Sequence, residues 1–423
     1  MIRILKYNEV ATEEIFARSV PEVDVAGIVS DIIADVRRRG DAALFDYAEK
    51  FDKVRLEALE VSPAEFEAAM AAVEPEFIGV LEAAAANIRA FHEKQVRQSF
   101  IMTREGGVVM GQRITPLDRV GLYVPGGTAA YPSTVLMDAI PAKIAGCGEI
   151  VITTPPAKNG SVNPAILAAA KVAGVDRVFK VGGAQAVAAL AYGTRSIPCV
   201  DKIVGPGNAF VAEAKKQVFG RVSIDMIAGP SEILVVADGG SDPRQLAADM
   251  LSQAEHDKMA SAVLVTDSMA LAQAVRDEID RQVKALPRCE IASASIDVNG
   301  KIIVADSIDK AIDIANALAP EHLELCLDNP FDYLDKIRHA GSIFMGRNCP
   351  EALGDYLAGP NHTLPTGGTA RFYSPLSVDD FVKKSQYTYF TRDALKAVSD
   401  KIARFARKEG LEGHARSVLS RFE

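Results

Sequence analysis

The sequence predicts an α/β protein made of two Rossmann-like, doubly wound parallel-sheet domains, with a helical N-terminal arm and a C-terminal helical tail. Three observations lead to this prediction. Short β-branched runs alternate with helical segments along much of the chain, which is typical of a parallel sheet. Each strand is a continuous run rich in β-branched residues, as expected for strands covered on both faces. The alternation begins at Ile150 and starts again at Ile233, which indicates two units.

The elements follow from local patterns in chain order. Apolar residues at helical spacing predict helices within residues 25–97, and Gly40 ends the first of them. Two short strands are predicted at 108–110 and 120–124. The first alternating series then has strands at 150–154, 177–181 and 202–204, and helices at 165–172, 184–191 and 209–218.

The second series repeats the alternation and ends in a helical appendage. A mixed-charge segment at 393–408 predicts the closing helix. The strands are predicted at 233–237, 262–266, 302–304, 323–327 and 343–345, and the helices at 243–253, 269–283 and 308–318.

Length, charge and composition exclude several classes of protein. The 423 residues are 48% hydrophobic and 24% charged, which suits a large folded core and argues against a disordered chain. A formal net charge of −9 disfavours non-specific nucleic-acid binding. Neither a bilayer-spanning apolar run nor a signal peptide is apparent. We therefore expect a soluble cytoplasmic protein with no nucleic-acid or membrane partner.

Four loops rich in glycine and polar residues indicate where a ligand could bind. Ligands of open parallel sheets bind at the carboxyl ends of the strands, and glycine lets backbone amides approach them. Dinucleotide binding and simple tight turns both explain such loops. The sequence lacks the G-x-G-x-x-G fingerprint and the P-loop, so ATP chemistry through a P-loop is excluded. The loops are at 123–127, 181–185, 204–208 and 228–232.

Several histidines lie close in the sequence to other residues whose side chains could bind a metal ion. Gln253 and His256 stand three residues apart near a predicted helix end, so one helical face could present both to a metal ion. Asp355 and His362 share a loop rich in glycine and proline, and His414 follows the terminal helix. Carboxylate, imidazole and neutral oxygen donors suit Zn²⁺ or a similar borderline metal. A solvated polar helix end also explains the first pair, and spacing alone does not join these sites.

Glu321 and His322 immediately precede an apolar strand. Two adjacent titratable groups at a strand boundary point to opposite sides of the chain, so one could act as a base on a substrate and the other on water. A polar pair that merely ends a helix explains the same residue types equally well.

Taken together, these segments resemble the histidinol dehydrogenase family. The match is collinear, spans nearly the whole chain and shows no departure at a functional position. It includes Ser-Gln-Ala-Glu-His-Asp at 252–257 and Ala-Pro-Glu-His-Leu-Glu at 319–324. The other matching segments are at 120–127, 181–185, 205–208, 228–232, 354–366 and 409–414.

The resemblance implies a zinc-dependent homodimer that oxidises L-histidinol to L-histidine through L-histidinaldehyde, using two NAD⁺. These are the last two steps of histidine biosynthesis. By the same resemblance, each subunit would hold one Zn²⁺ through Gln253, His256, Asp355 and His414. His414 would reach the site from the partner's tail, so the dimer would exchange tails.

The resemblance also implies the remaining site residues. Ser231, His322 and Glu409 would surround the substrate together with the zinc ligands. As a hypothesis for the mechanism, His322 removes the alcohol proton, and Glu321 activates water for the second oxidation. The residues implied to contact NAD are Tyr123, Gln185 and Asn208.

These assignments give predicted domain boundaries. Residues 1–20 form an N-terminal arm. Residues 21–122 and 234–375 form a first domain that carries most of the zinc and substrate residues. Residues 123–233 form a second domain on the NAD side. Residues 376–423 form the tail, which is expected to pack on the partner subunit.

Two other functions stay open. A paralogous zinc- and NAD-dependent alcohol dehydrogenase on the same scaffold would act on another small diol or amino alcohol, such as a sulfonated diol. Glu409 favours histidinol, because its carboxylate could pair with the substrate's ammonium group. A non-enzymatic metal or nucleotide sensor would need neither Glu321 nor His322.

Overall fold

The computed structural model describes residues 2–18, 24–126 and 130–423. Contacts divide the chain into two units, which are described separately. The larger unit comprises Met1–Gln95 and Leu117–Phe381, and the smaller unit comprises Val96–Pro116 and Val382–Glu423. Within the described ranges no helix combines the length and hydrophobicity needed to cross a lipid bilayer.

The strands are numbered in chain order. They are β1 (Arg3–Lys6), β2 (Phe100–Arg104), β3 (Val108–Pro116), β4 (Arg119–Tyr123), β5 (Glu149–Thr154), β6 (Arg177–Lys180), β7 (Lys202–Val204), β8 (Ser223–Ile224), β9 (Glu232–Ala237), β10 (Ser261–Thr266), β11 (Lys301–Val304), β12 (His322–Cys326), β13 (Ser342–Met345) and β14 (Val382–Tyr389).

The α-helices are numbered in the same way. They are α1 (Thr12–Phe16), α2 (Ala26–Arg39), α3 (Asp41–Tyr47), α4 (Pro63–Ala72), α5 (Pro75–His92), α6 (Pro132–Ala145), α7 (Pro164–Ala173), α8 (Gly183–Tyr192), α9 (Ala209–Val218), α10 (Pro243–Ala254), α11 (Met269–Gln282), α12 (Cys289–Asn299), α13 (Ile308–Leu318), α14 (Phe331–Leu334), α15 (Glu351–Tyr356), α16 (Arg392–Lys408) and α17 (Glu412–Leu419).

A six-stranded sheet forms one half of the larger unit, in the order β1-β11-β10-β9-β12-β13 with every pair parallel. Its strands bury both faces. On β9, Val235 joins the core under α10 and α11, whereas Leu234 and Val236 join the core under α13. The continuous apolar runs therefore form doubly covered strands, as the sequence predicts. Arg3–Lys6, within the predicted arm, adds the edge strand β1.

A five-stranded parallel sheet forms the other half, in the order β6-β5-β4-β7-β8. Helices α6 and α7 cover one face, and α8 and α9 cover the other. Two parallel, doubly wound sheets thus confirm the predicted fold class.

The cores correct one predicted domain boundary. Residues 21–122 were assigned to the domain of the six-stranded sheet, but their helices pack on the five-stranded sheet. Helices α2 and α3 share a core with α8 and α9, and α4 and α5 share a core with α6 and α7. The physical reason is that an amphipathic pattern shows that one helical face is buried, without showing which sheet buries it.

The smaller unit contains an antiparallel sheet in the order β14-β3-β2. The strand predicted at 108–110 runs on to Pro116 and belongs here, not to a parallel sheet. Helices α16 and α17 pack through Ala403, Ala406 and Ala415. The second segment of this unit begins at Val382, six residues after the predicted start of the tail at 376.

Candidate active site

The candidate catalytic residues lie at the amino edge of the six-stranded sheet. His322 is the first residue of β12, and it pairs in register with Ile233 of β9. Helix α10 follows β9 and returns antiparallel to it, so its last turn brings Gln253 back to the same edge. This location differs from the expected one at the carboxyl ends of the strands.

His322 is buried and held in one tautomer. Its Nδ1 lies 2.9 Å from the carbonyl oxygen of Glu232. A carbonyl only accepts, so Nδ1 carries the proton and the Nε2 lone pair remains available. Nε2 lies 3.7 Å from Oε1 of Glu351. Burial lowers the pKa of His322 to about 4, so the ring is neutral at pH 7.

Glu321 is fixed by the same residue of β9. The backbone N–H of Glu232 donates to Oε2 of Glu321 at 2.8 Å, and that oxygen lies 3.7 Å from Nδ1 of His322. Burial, with the nearby charges of Glu232 and Asp355, raises the pKa of Glu321 well above its ordinary value. A carboxylate with a raised pKa is a stronger base once ionised.

Asp355 of α15 is ionised in spite of its burial. Burial favours the neutral acid, but His362 lies with Nδ1 3.4 Å from Oδ1 of Asp355, and this neighbour holds the pKa of Asp355 below its usual range. The charge of Asp355 in turn raises the pKa of His362 against the effect of burial. Thr134 contacts the other ring nitrogen of His362, with Oγ1 3.4 Å from Nε2.

Gln253 presents an unsatisfied oxygen in the same region. The side chain is 1% exposed, and its Oε1 has no hydrogen-bond partner among the described residues. Buried polar atoms are almost always satisfied in native proteins, so this oxygen is available to a metal ion, a water molecule or a substrate. His256, three residues on, lies near enough to lower the pKa of His322 further.

Three side chains of this site lie close enough together to hold a metal ion. The ligand atoms of His322, Glu351 and Asp355 all lie within 4.8 Å of one another. Asp355 is common to this cluster and to the predicted zinc ligands. Sequence reasoning missed Glu351, although it precedes Asp355 by four residues on one helix, a spacing that places both on one face.

The other predicted substrate and metal residues lie in two places. Ser231 directly precedes β9, and its carbonyl oxygen accepts from the Ser261 N–H at 2.9 Å. Glu409 follows α16, and His414 lies on α17, so both belong to the smaller unit. Their predicted roles stay predictions.

A cavity of about 950 Å³ lies in the larger unit and contains all three predicted cofactor residues, Tyr123, Gln185 and Asn208. They follow the carboxyl ends of β4, β6 and β7, as expected for an open parallel sheet. The volume suits a ligand of dinucleotide size. Gly127 of the predicted loop lies outside the described residues.

Hydrogen bonds between side chains and backbone N–H groups hold the cavity loops in place. The Gly183 N–H donates to the hydroxyl of Tyr123 at 3.1 Å, and burial raises the pKa of Tyr123 to about 12. Oδ1 of Asn208 accepts from the N–H groups of Phe210 and Val211 and so caps α9.

A buried ion pair that sequence reasoning missed clamps the loop before Asn208. Nζ of Lys215 donates to the Gly205 carbonyl at 2.9 Å and pairs with Asp225. Asp225 accepts from the Gly205 N–H at 2.8 Å. Gly205 has a φ of +109°, and a Cβ there would lie 2.2 Å from the carbonyl oxygen of Tyr123. The loop therefore requires glycine at this position.

Gly205→Ala tests whether the loop requires glycine at position 205. We expect a loss of about 2–4 kcal/mol in the free energy of unfolding, because the new methyl group meets backbone and the φ is strained. Urea denaturation monitored by circular dichroism would measure it. The control is Gly79→Ala within α5, where a Cβ meets nothing within 4 Å. That change should stabilise the protein by about 0.5–1 kcal/mol, and equal behaviour of the two variants would contradict the requirement for glycine at position 205.

Comparisons with known proteins match the chain to one family. The family model described as histidinol dehydrogenase matches residues 17–422. The histidinol dehydrogenase of Clostridium acetobutylicum is 54% identical over 100% of this chain and 99% of its own length. That of Geobacillus kaustophilus is 57% identical over 93% of each chain. A crystal structure of histidinol dehydrogenase from Elizabethkingia anophelis is 41% identical, covers 100% of this chain and 98% of that chain, and has a TM-score of 0.94.

Proposed function

The chain belongs to the histidinol dehydrogenase family, and from this premise we propose that it oxidises L-histidinol to L-histidine through L-histidinaldehyde with two NAD⁺. The observation that carries the proposal is the buried His322, whose Nδ1 is engaged by the Glu232 carbonyl while Nε2 is free to accept a proton. Family membership places the enzyme in histidine biosynthesis, and we propose that it acts in the cytoplasm.

The first oxidation needs a base beside the reacting alcohol. Nε2 of His322 takes the hydroxyl proton while hydride leaves the carbon for nicotinamide, so alcohol and NAD⁺ give aldehyde, NADH and a proton. The tautomer fixed by Glu232 makes Nε2 the accepting atom. This base is therefore oriented before the substrate arrives.

The second oxidation needs water, because hydride must leave a tetrahedral carbon. Glu321 takes a proton from the water that adds to the aldehyde and returns it to the former carbonyl oxygen. The hydrate and a second NAD⁺ then give the carboxylate, NADH and two protons. Glu321 adjoins His322 and is held by the Glu232 N–H. Two different side chains, both held by the backbone of β9, thus accept the proton of the water and the proton of the alcohol.

We propose that Gln253, His256 and Asp355 hold zinc, with His414 of the partner subunit as the fourth ligand. The unsatisfied, buried Oε1 of Gln253 and the ionised Asp355 fit a cation, and the donor set suits Zn²⁺. Bound there, zinc would serve mainly as a template that orients the amino alcohol. Tail exchange in a homodimer would also bring Glu409 to the substrate's ammonium group.

NAD is proposed to occupy the cavity of about 950 Å³ beside Tyr123, Gln185 and Asn208. Glycine at 182 and 183 lets backbone approach the ligand, and helix α8 begins there without a side-chain cap. The open first turn of a helix favours an anion such as the pyrophosphate.

Counting the NADH formed tests the function as a whole. With limiting L-histidinol and excess NAD⁺, we expect two NADH per substrate, and we expect a strong chelator to abolish turnover. Absorbance at the NADH band provides the measurement. One NADH per histidinol would mean that the second oxidation is misassigned, and faster turnover of a sulfonated diol would favour the paralogous function.

Glu321→Gln should separate the two oxidations. Loss of a general base costs about 10²–10⁴-fold, so oxidation of L-histidinaldehyde should fall by that factor while alcohol oxidation falls much less. Single-turnover experiments started from each substrate would measure the two rates. His322→Asn is the comparison variant and should impair the alcohol step as well. Equal losses in both steps for Glu321→Gln would refute the division of roles.

The metal content of three variants tests the ligand set. Gln253→Leu should lose most of the zinc, because leucine is about the size of glutamine but has no oxygen to bind the metal. Truncation before Glu409 should have the same effect, because it removes His414. Glu351→Gln should retain about one zinc per subunit. Elemental analysis after dialysis measures the content directly. If Glu351→Gln loses zinc and Gln253→Leu keeps it, the metal is held by the cluster of His322, Glu351 and Asp355 instead.

A further inference from the structure

One carboxylate in the wall of the cavity is notable for the absence of a partner in the part of the chain that the structure describes. Asp52 ends a π-helical turn, Ala48–Asp52, and lines the cavity next to Phe51. Among the described residues it makes neither a hydrogen bond nor an ion pair. Burial raises its pKa to about 6, because the carboxylate is partly withdrawn from water without a compensating donor. A group in this state is suited to receive donors from a ligand.

Resting on the proposed function, we infer that Asp52 binds the ribose hydroxyls of the adenosine half of the dinucleotide and thereby selects NAD over NADP. A ribose diol offers two O–H donors that one carboxylate can accept together. A carboxylate in this role is a general means of recognising an unphosphorylated ribose, and it repels the 2′-phosphate of NADP. Nothing in the sequence predicted it, because no G-x-G-x-x-G motif marks its position.

The surroundings of Asp52 indicate the adenosine half. The apolar side chains Ile28, Phe51 and Phe210 line the same cavity and are 54%, 47% and 37% exposed, so they offer an uncovered surface to a flat base. Helix α2, which carries Ile28, packs on the five-stranded sheet. His322 lies on the other sheet, so the half of the ligand that contacts this surface is the half that does not react.

The charged groups of the cavity also favour an orientation with the adenosine half of the dinucleotide beside Asp52. Asp52 is near enough to Tyr123 for its charge to help raise the pKa of the phenol. The uncapped start of α8 and the cavity residue Lys158 supply positive potential for the pyrophosphate. Asp52 therefore repels a phosphate in a cavity that otherwise attracts phosphates, and this contrast can discriminate between the two cofactors.

Direct binding of NADH and NADPH to the full-length, zinc-loaded enzyme tests the inference. Fluorescence titration should show that the wild type binds NADH at least about 100-fold more tightly than NADPH. Asp52→Asn should weaken NADH binding about tenfold and strengthen NADPH binding, so that the ratio of the two dissociation constants falls more than tenfold. The ratio of kcat/KM for NAD⁺ and NADP⁺ should fall in parallel.

Glu49→Gln is the matched control, because Glu49 lies on the same π-helical turn, is exposed and does not line the cavity. It should leave both dissociation constants unchanged. Asp52→Ser is a second variant in case Asp52→Asn folds poorly, and melting temperatures would verify folding. An unchanged NADH to NADPH ratio in folded Asp52 variants would overturn the inference alone. A wild type that binds no NADH would overturn the proposed function and the inference with it.

Discussion

The parallel pairing of β9 with β12 is the constraint on which the site depends. One backbone unit of β9, that of Glu232, contacts both candidate catalytic side chains at the start of β12. Its N–H donates to Glu321 and its carbonyl accepts from His322. A shift of one residue in this register would turn both side chains to the opposite faces of the sheet. The side chain of Glu232 is itself paired with Arg18 in the same unit.

The proposed cofactor residues and the proposed catalytic residues lie at opposite edges of their two sheets. The cavity follows the carboxyl ends of β4, β6 and β7, whereas His322 stands at the amino end of β12. Ligands of open parallel sheets usually bind at the carboxyl ends of the strands. The proposed cofactor residues follow this rule, and the proposed catalytic residues do not. In the proposed reaction, a dinucleotide bound at the five-stranded sheet would place its reactive ring beside residues of the six-stranded sheet, so both halves of the larger unit would be needed.

Sequence reasoning found the strands because continuous β-branched runs such as that of β9 are a local signal. It overlooked α6, in which every residue from Thr134 to Ala142 is buried, because a helix buried on all sides has no polar face to reveal its period. The spacing of Gln253 and His256 indicated a pair that could bind a metal, and their role as zinc ligands stays a prediction. The contributions of Glu351 and of the pair Lys215 and Asp225 depend on contacts across the fold, which spacing does not encode.

Two of the buried side-chain atoms without a hydrogen-bond partner lie where the proposed ligands would bind. Oε1 of Gln253 and Oε1 of Glu351 lack partners among the described residues, and both belong to the candidate active site. Leaving such an atom unpaired costs about 1–3 kcal/mol of folding free energy. A ligand that supplies the missing contact offsets this cost. Metal or substrate binding would remove it, so occupancy of this site and stability of the larger unit are coupled by the same contacts.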